Sequence, residues 1–210
     1  MKCLLVSILL TIFLVGCSGD GSAKPTSINE GSNKERVLSP PEQAALDYFN
    51  KMRERDIKYC FFHSIAHHRA LEREMKKRGF ANLSEKDWRK KAEEIFTTEV
   101  KDVFDPVTML WDDWPESLNG TEVVVLESNV MSAYEMSQRN IVPNGDTVYR
   151  VFLHFTFTKI ASSPKNKGRL VKKFVLEVPV YYNGKDHFID NFNWDFVPVG
   201  TEFWDGERLS

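Results

Sequence analysis

Three histidines lie close together in the first third of the chain. His63 and His67 are four residues apart, and His68 follows directly, within a stretch of helical periodicity. Side chains four apart on a helix share a face, so the rings of His63 and His67 could both reach one metal ion. The stretch lacks the glutamate of a zinc-protease motif, and no third ligand is identifiable. The alternative is a pair of surface histidines beside a buried helical stripe, and we expect no metal and no cofactor.

Asp190 is the carboxylate whose position could support acid–base chemistry. It shares strand parity with four aromatic residues, Phe188, Phe192, Trp194 and Phe196. If that face lines a cavity, Asp190 is a carboxylate in an apolar wall, the environment of a competent general base, and His154 could serve as its acid–base partner. The alternative is a solvated polar residue close to the Asn183-Gly184 turn. No pair of carboxylates, nucleophile elbow or phosphate-binding glycine loop accompanies Asp190.

Two tryptophans occupy a predicted loop between helices and strands. Trp111 and Trp114 flank two aspartates in the segment Trp111-Asp112-Asp113-Trp114-Pro115. Exposed tryptophans could stack on a sugar or anchor a partner protein, because aromatic residues dominate the energetics of such contacts. The alternative is that both rings close one end of the hydrophobic core. The sequence leaves the two interpretations open, with Trp114 the better surface candidate.

The cysteines indicate where the protein resides. Lys2 precedes an apolar run from Leu4 to Val15, and small residues stand just before Cys17 in Leu14-Val15-Gly16-Cys17. This pattern resembles the lipobox of bacterial lipoproteins. The resemblance implies a signal peptide at 1–16, removed on export, and a mature chain whose Cys17 carries the lipid anchor, palmitate included. The run is shorter than the ~20 apolar residues that a transmembrane helix needs, so we expect anchoring and not spanning.

The lipobox resemblance also implies a location and a tether. The protein is expected in the cell envelope, and Ser18 directly after Cys17 resembles the sorting signal for the outer membrane facing the periplasm in Gram-negative bacteria. Residues 17–39, rich in serine, glycine and asparagine, predict a flexible tether, and residues 40–210 a single folded domain. Cys60, beside two phenylalanines, is expected to be a buried and inert thiol.

Composition excludes one class of partner. The chain of 210 residues has a formal net charge of −2 and lacks the basic footprint of a nucleic-acid-binding protein. We therefore expect no nucleic-acid partner. The aromatic content of 15 Phe, 6 Tyr and 5 Trp instead predicts a large apolar core.

Apolar spacing predicts three helices before any strand. The first covers about residues 41–54 behind Ser39 and two prolines, the second runs from Asp56 to Gly79, and the third starts at Ser84 and carries an apolar stripe to Phe104.

After Pro106 the period changes to two and predicts four strands. The first spans about Glu122 to Met136, and the last spans His187 to Val197. In the second strand Tyr149, Val151, Leu153, Phe155 and Phe157 share one face, and in the third Phe174, Leu176, Val178 and Val180 do. Asn183-Gly184 between the last two strands is the strongest hairpin signal in the chain.

The order of these elements resembles a known superfamily. The opening Pro41-Glu42-Gln43-Ala44-Ala45-Leu46-Asp47-Tyr48-Phe49, a second helix from Asp56 and long aromatic strands are similar to the NTF2-like, cystatin-related superfamily. The resemblance implies an α+β domain of three N-terminal helices packed on a curved four-stranded antiparallel sheet, which often leaves a pocket. Its members include enzymes and non-catalytic binders, so the fold does not fix the function.

Two functions follow as expectations. The first is a lipid-anchored envelope protein of a non-catalytic binding or interaction type, whose partner is an envelope protein or a small apolar ligand. The second is a small-molecule enzyme of an isomerase, dehydratase or hydrolase type, with Asp190 as acid and base in a cone-shaped pocket. The absence of a complete catalytic constellation in the sequence favours the first.

Overall fold

The described part of the chain has helices followed by an antiparallel sheet, so the α+β class predicted from the sequence is confirmed. The computed structural model describes residues 36–102, 121–162, 170–191 and 193–203. All of them belong to one compact unit that starts at Lys34. The helices are α1 (Pro40–Arg53), α2 (Ile57–Phe62), α3 (Ile65–Lys77), α4 (Glu85–Ile95) and α5 (Ala133–Gln138).

Helix α1 begins where the sequence predicts it and covers the sheet. The prolines at its start have a fixed φ that suits a first helical turn, and the Glu42 carboxylate accepts a hydrogen bond from the Ser39 backbone N–H at 2.8 Å. Tyr48, Phe49 and Met52 are buried on the face that meets the strands. The predicted stripe of α1 is therefore confirmed.

The single helix predicted from Asp56 to Gly79 is wrong, because the chain forms two helices with a break at His63 and Ser64. Ser64 has an extended backbone, with φ −92° and ψ 128°, and makes an isolated parallel bridge to Ile189. The backbone N–H of Ile189 donates to the His63 carbonyl at 2.7 Å. The break between α2 and α3 therefore lies where the chain contacts the end of β4.

Helix α4 starts at the predicted cap and ends in an irregular turn. The Ser84 hydroxyl accepts a hydrogen bond from the backbone N–H of Asp87 at 3.2 Å. A π-helical turn, Phe96–Val100, follows α4. The Thr97 and Thr98 hydroxyls there donate to backbone carbonyls four residues earlier, each at 2.8 Å. Such bonds compete with the regular ladder and often bend helices. The predicted continuation to Phe104 lies outside the described residues.

Among the described residues the sheet has five strands, whereas the sequence predicts four. They are β1 (Thr121–Val130), β2 (Thr147–Ser162), β3 (Leu170–Tyr182), β4 (His187–Ile189) and β5 (Asp195–Phe203). Strand β1 pairs with β2 and β2 with β3, while β4 and β5 both pair with β3, all antiparallel.

Both differences from the prediction occur where a side chain turns the backbone. The first predicted strand ran on to Met136, but Ser132 accepts from the Glu135 N–H at 3.3 Å and starts helix α5. The last predicted strand is split by a turn at Asp190, whose carboxylate accepts from the Asn193 backbone N–H at 3.2 Å. The chain resumes pairing with β3 only in β5.

The core lies between the helices and one face of β2 and β3. Four predicted inward residues of β2 and four of β3 are buried: Val151, Leu153, Phe155, Phe157, Phe174, Leu176, Val178 and Val180. Phe155 stacks on Phe174 with ring centroids 4.7 Å apart, and Phe49 of α1 meets Phe155 edge-on at 5.1 Å. The predicted strand alternation is confirmed. Cys60 is also buried, and burial raises the pKa of its thiol to about 12, so it stays protonated.

Candidate functional site

An open groove of about 500 Å³ lies where the start of α2, the break before α3, helix α4 and the β3–β4 hairpin meet. Its volume is within the range of small-molecule sites. Six of its lining residues carry aromatic rings: Tyr59, Phe62, His63, His68, Trp88 and Phe188. We call this the aromatic groove.

Each wall of the aromatic groove is positioned by local structure. Asp56 caps α2 by accepting a hydrogen bond from the Tyr59 backbone N–H at 2.9 Å. Asn183 builds the hairpin, because its side-chain oxygen accepts from the backbone N–H groups of Lys185 at 2.9 Å and Asp186 at 2.8 Å. The hairpin predicted at Asn183-Gly184 is therefore confirmed, with Gly184 at φ +92°.

The rings of the aromatic groove pack in pairs. His63 stacks on Tyr59 with centroids 3.8 Å apart, and its Nδ1–H donates to the Tyr59 carbonyl at 2.9 Å. His68 stacks on Phe188 at 4.2 Å, and its centroid is 6.0 Å from that of Trp88. The aromatic walls are therefore fixed by contacts between α2, α3, α4 and β4.

The protonation of His68 is affected by its burial. Desolvation lowers the pKa of His68 below 6.5, although the neighbouring Glu72 carboxylate, 3.3 Å away, opposes that shift. Burial therefore favours the neutral form of the His68 ring.

Five charged residues border the groove, two cations and three carboxylates, and both cations are paired. Lys58 contacts Glu93 at 2.9 Å within the groove, and Arg89 contacts Glu85 at 2.7 Å beside it. The two remaining carboxylates, Asp56 and Asp186, form no ion pair with any described residue. The groove therefore combines aromatic faces with an excess of negative charge.

A buried polar cluster lies behind the groove at the helix break. The Ser64 hydroxyl donates to the side-chain oxygen of Asn191 at 2.6 Å, so the Nδ1–H of His67 donates to the Ser64 oxygen at 2.8 Å. All three residues are buried, with exposures of 0%, 1% and 5% for Ser64, Asn191 and His67. Burial lowers the pKa of His67 to about 4. The serine–histidine pair resembles a nucleophile with its base, but a serine with no exposed surface cannot meet a substrate.

The structure separates the two histidines predicted to share a helix face. His63 follows the end of α2 and stacks on Tyr59 in the groove wall, while His67 is in α3 and points to the buried Ser64. The described residues contain no group of three or more histidine, cysteine, aspartate or glutamate side chains able to hold a metal ion. The alternative interpretation expected both histidines at the surface, and it is wrong for His67, which is buried.

Asp190 and His154 are placed apart. Asp190 follows β4 and is 3% exposed; its carboxylate accepts hydrogen bonds from the Tyr181 hydroxyl at 3.3 Å and the Asn193 side-chain amide at 2.8 Å. Its backbone N–H donates to Pro179, which pairs with Arg150 on β2. His154 is four residues further along β2, a distance of roughly 13 Å. The two side chains therefore do not share one enclosed cavity, and Asp190 holds the turn between β4 and β5.

Three predicted site residues lie outside the described residues: Trp111, Trp114 and Cys17. Phe203 is buried at the end of β5 with 2% exposure.

Sequence reasoning missed the groove itself. In the sequence, Phe188 belongs to an apolar strand face, and nothing links it to Trp88 or to Asp186. Trp88 and Phe188 come close only because α4 and β4, which are distant in the sequence, meet in the fold. The position of Asp186 beside the predicted hairpin was the one local signal of a charged residue at this surface.

Comparisons with known proteins leave the chain without an assigned family. Neither protein-family models, nor curated proteins, nor solved structures give a match to it. Within the ranges that the structure describes, no helix has the length and apolar character needed to span a bilayer.

Proposed function

We propose that this chain is a lipid-anchored cell-envelope protein of a non-catalytic binding type, and that its ligand binds in the aromatic groove. The observation that carries the binding role is the groove of about 500 Å³ with six aromatic rings. Concave, largely apolar surfaces with a few polar groups are the usual form of small-molecule sites. The anchoring role rests on the lipobox-like Leu14-Val15-Gly16-Cys17.

The same proposal includes a location and a fold family. Anchoring at Cys17 places the domain at the outer membrane facing the periplasm if the host is Gram-negative, with the membrane as one partner. The NTF2-like assignment is supported by helices that precede an antiparallel sheet. The enzyme alternative has less support, since the Asp190 carboxylate is occupied by turn hydrogen bonds.

The anchor is tested by membrane fractionation of Cys17→Ala. Without a thioether lipid, the described residues offer no helix able to hold the protein in a bilayer, so the variant should leave the membrane fraction. Cys3→Ala is the matched control, because it changes a leader cysteine outside the lipobox. Sedimentation of Cys17→Ala with membranes after a high-salt wash would contradict the anchor.

The binding role is tested by thermal unfolding of the full chain against a set of small molecules that varies in charge and shape. A ligand of the folded state raises the unfolding temperature in proportion to its occupancy. We expect at least one compound to do so, and Trp88→Leu to abolish the shift. Tyr134→Leu is the control, since Tyr134 is 73% exposed on α5, outside the groove. An unchanged shift in Trp88→Leu would reject the groove as the binding site.

A further inference from the structure

We propose that the aromatic groove binds a small organic cation, of the amine or quaternary ammonium class. The inference rests on the proposed binding role and adds the chemical class of the ligand. Two independent features of the groove carry it: the charges that border it and the ring faces that line it.

The border of the groove has unbalanced negative charge. The groove and the ion pairs at its border contain four carboxylates and three cations: Lys58 contacts Glu93, while Arg89 and Lys185 both contact Glu85, which leaves one negative charge in excess with Asp56 and Asp186 outside any ion pair among the described residues. Asp186 is exposed at the hairpin and Asp56 caps the first turn of α2 from another wall. A positively charged ligand between these walls meets complementary charge, whereas an anion meets repulsion.

The lining of the groove offers ring faces to a cation. Aromatic rings have a negative face, which attracts ammonium groups, and tryptophan gives the strongest attraction. Outside the groove the protein covers such faces with its own cations: Arg69 lies 4.9 Å from the Tyr181 centroid and Lys91 lies 5.6 Å from that of Phe80. Within the described residues, none of the groove's own rings has a lysine or arginine in this arrangement. No lysine or arginine of the described residues therefore competes with an external cation for these rings, although the His63–Tyr59 and His68–Phe188 stacks cover one face of each of those four rings.

The His68 imidazole, stacked on Phe188, adds little positive charge to the groove, because burial lowers its pKa and favours the neutral ring. A trimethylammonium group is bulky and weakly hydrated, whereas a metal ion is small and strongly hydrated. An open aromatic surface therefore favours the trimethylammonium group.

The test compares two probes of the same shape. Choline has a trimethylammonium group, and 3,3-dimethylbutan-1-ol has a neutral tert-butyl group in its place. With the full chain in a non-ionic detergent, calorimetric titration should give choline roughly tenfold higher affinity than the alcohol, the ratio expected for a cation over aromatic faces. Equal affinities, tighter binding of the alcohol, or no binding of choline would overturn the inference.

Substitutions test whether the aromatic rings and the negative charge of the groove each contribute to choline affinity. Trp88→Leu keeps an apolar side chain without the ring and should reduce choline affinity about tenfold, while Trp88→Phe should recover part of it. Asp186→Asn should reduce it about threefold. The matched control is Glu122→Gln, a carboxylate-to-amide change on β1, at the other edge of the sheet from β4. Thermal unfolding of each variant checks that it folds.

The outcomes separate the ligand class from the binding role. If a neutral compound, such as the alcohol or a methyl glycoside, binds tighter than choline and Trp88→Leu removes that binding, the cation inference fails and the groove remains a binding site. If Trp88→Leu leaves the binding of every probe unchanged, the groove is not the site and both proposals fail.

Discussion

Acid should destabilise the folded domain through one buried imidazole, His67. The ring is 5% exposed, and burial lowers its pKa from 6.5 to about 4. Between these two values the unfolded chain binds a proton that the folded chain does not, so stability is complete above pH 6.5 and falls as the pH drops to 4. At 1.36 kcal/mol per pH unit, the total loss is about 3 kcal/mol. That loss is a substantial fraction of the 5–15 kcal/mol typical of a domain.

The assay is urea unfolding followed by circular dichroism at several pH values from 7.5 to 4. The comparison protein is His67→Gln, because a glutamine amide can still donate to Ser64 but does not titrate. Other groups that titrate on acidification, such as Glu42 and His187, are present in both proteins and cancel in the difference. The wild-type protein should lose about 3 kcal/mol more than the variant over this range.

Parallel pH curves for the two proteins would refute the reasoning, because they would show that the folded and unfolded states bind a proton at position 67 equally well. Nuclear magnetic resonance gives an independent measurement. The ring resonance of His67 should titrate near pH 4 in the folded protein, and a midpoint near 6.5 would contradict the buried, neutral state.

Three further substitutions test other parts of the structure. Gly200 has φ +91°, and an added Cβ would lie 3.2 Å from a valine methyl. Gly200→Ala should therefore lower the free energy of unfolding, measured in urea, by about 1–3 kcal/mol. Gly79→Ala should cost less, because Gly79 has φ +82° but open space around the added Cβ. Asp190→Ala should lower stability by about 2 kcal/mol, because its hydrogen-bonding neighbours lose a buried acceptor, and an unchanged unfolding curve would reject its role in the turn. Trp111→Ala should lose ~3 kcal/mol or more if that ring closes the core, whereas Trp114→Ala should stay within about 0.5 kcal/mol of the parent if it is a surface residue. Equal destabilisation of the two tryptophan variants would remove the support for a partner-binding loop.

The strand faces and helix starts could be read from the sequence because local rules determine them. Alternation along β2 correctly assigned Leu153 and Phe155 to the core, and Ser39 and Ser84 marked two helix starts. A period-two pattern reports burial on one face, and a capping residue acts within one helical turn, so both signals are local.

The helix break and the groove could not be read in the same way. Apolar spacing continues from Ile57 through Ile65 to Met75 without interruption, and the break at Ser64 depends on a hydrogen bond to Asn191. The groove likewise requires α2 and α4 to meet the β3–β4 hairpin. Such long-range contacts override the local pattern.

The hydrogen bond between Ser64 and Asn191 also constrains when the domain can form. The two residues are separated by 127 positions, so the break between α2 and α3 gains its partner only after most of the chain is available. Contacts of such large sequence separation slow folding, because the loop between them must close first. If the chain is exported as proposed, this delay would be useful, because a chain must cross the membrane before it folds. Its first helices would lack their native packing partners until the later strands are synthesised, which would keep the polypeptide competent for translocation.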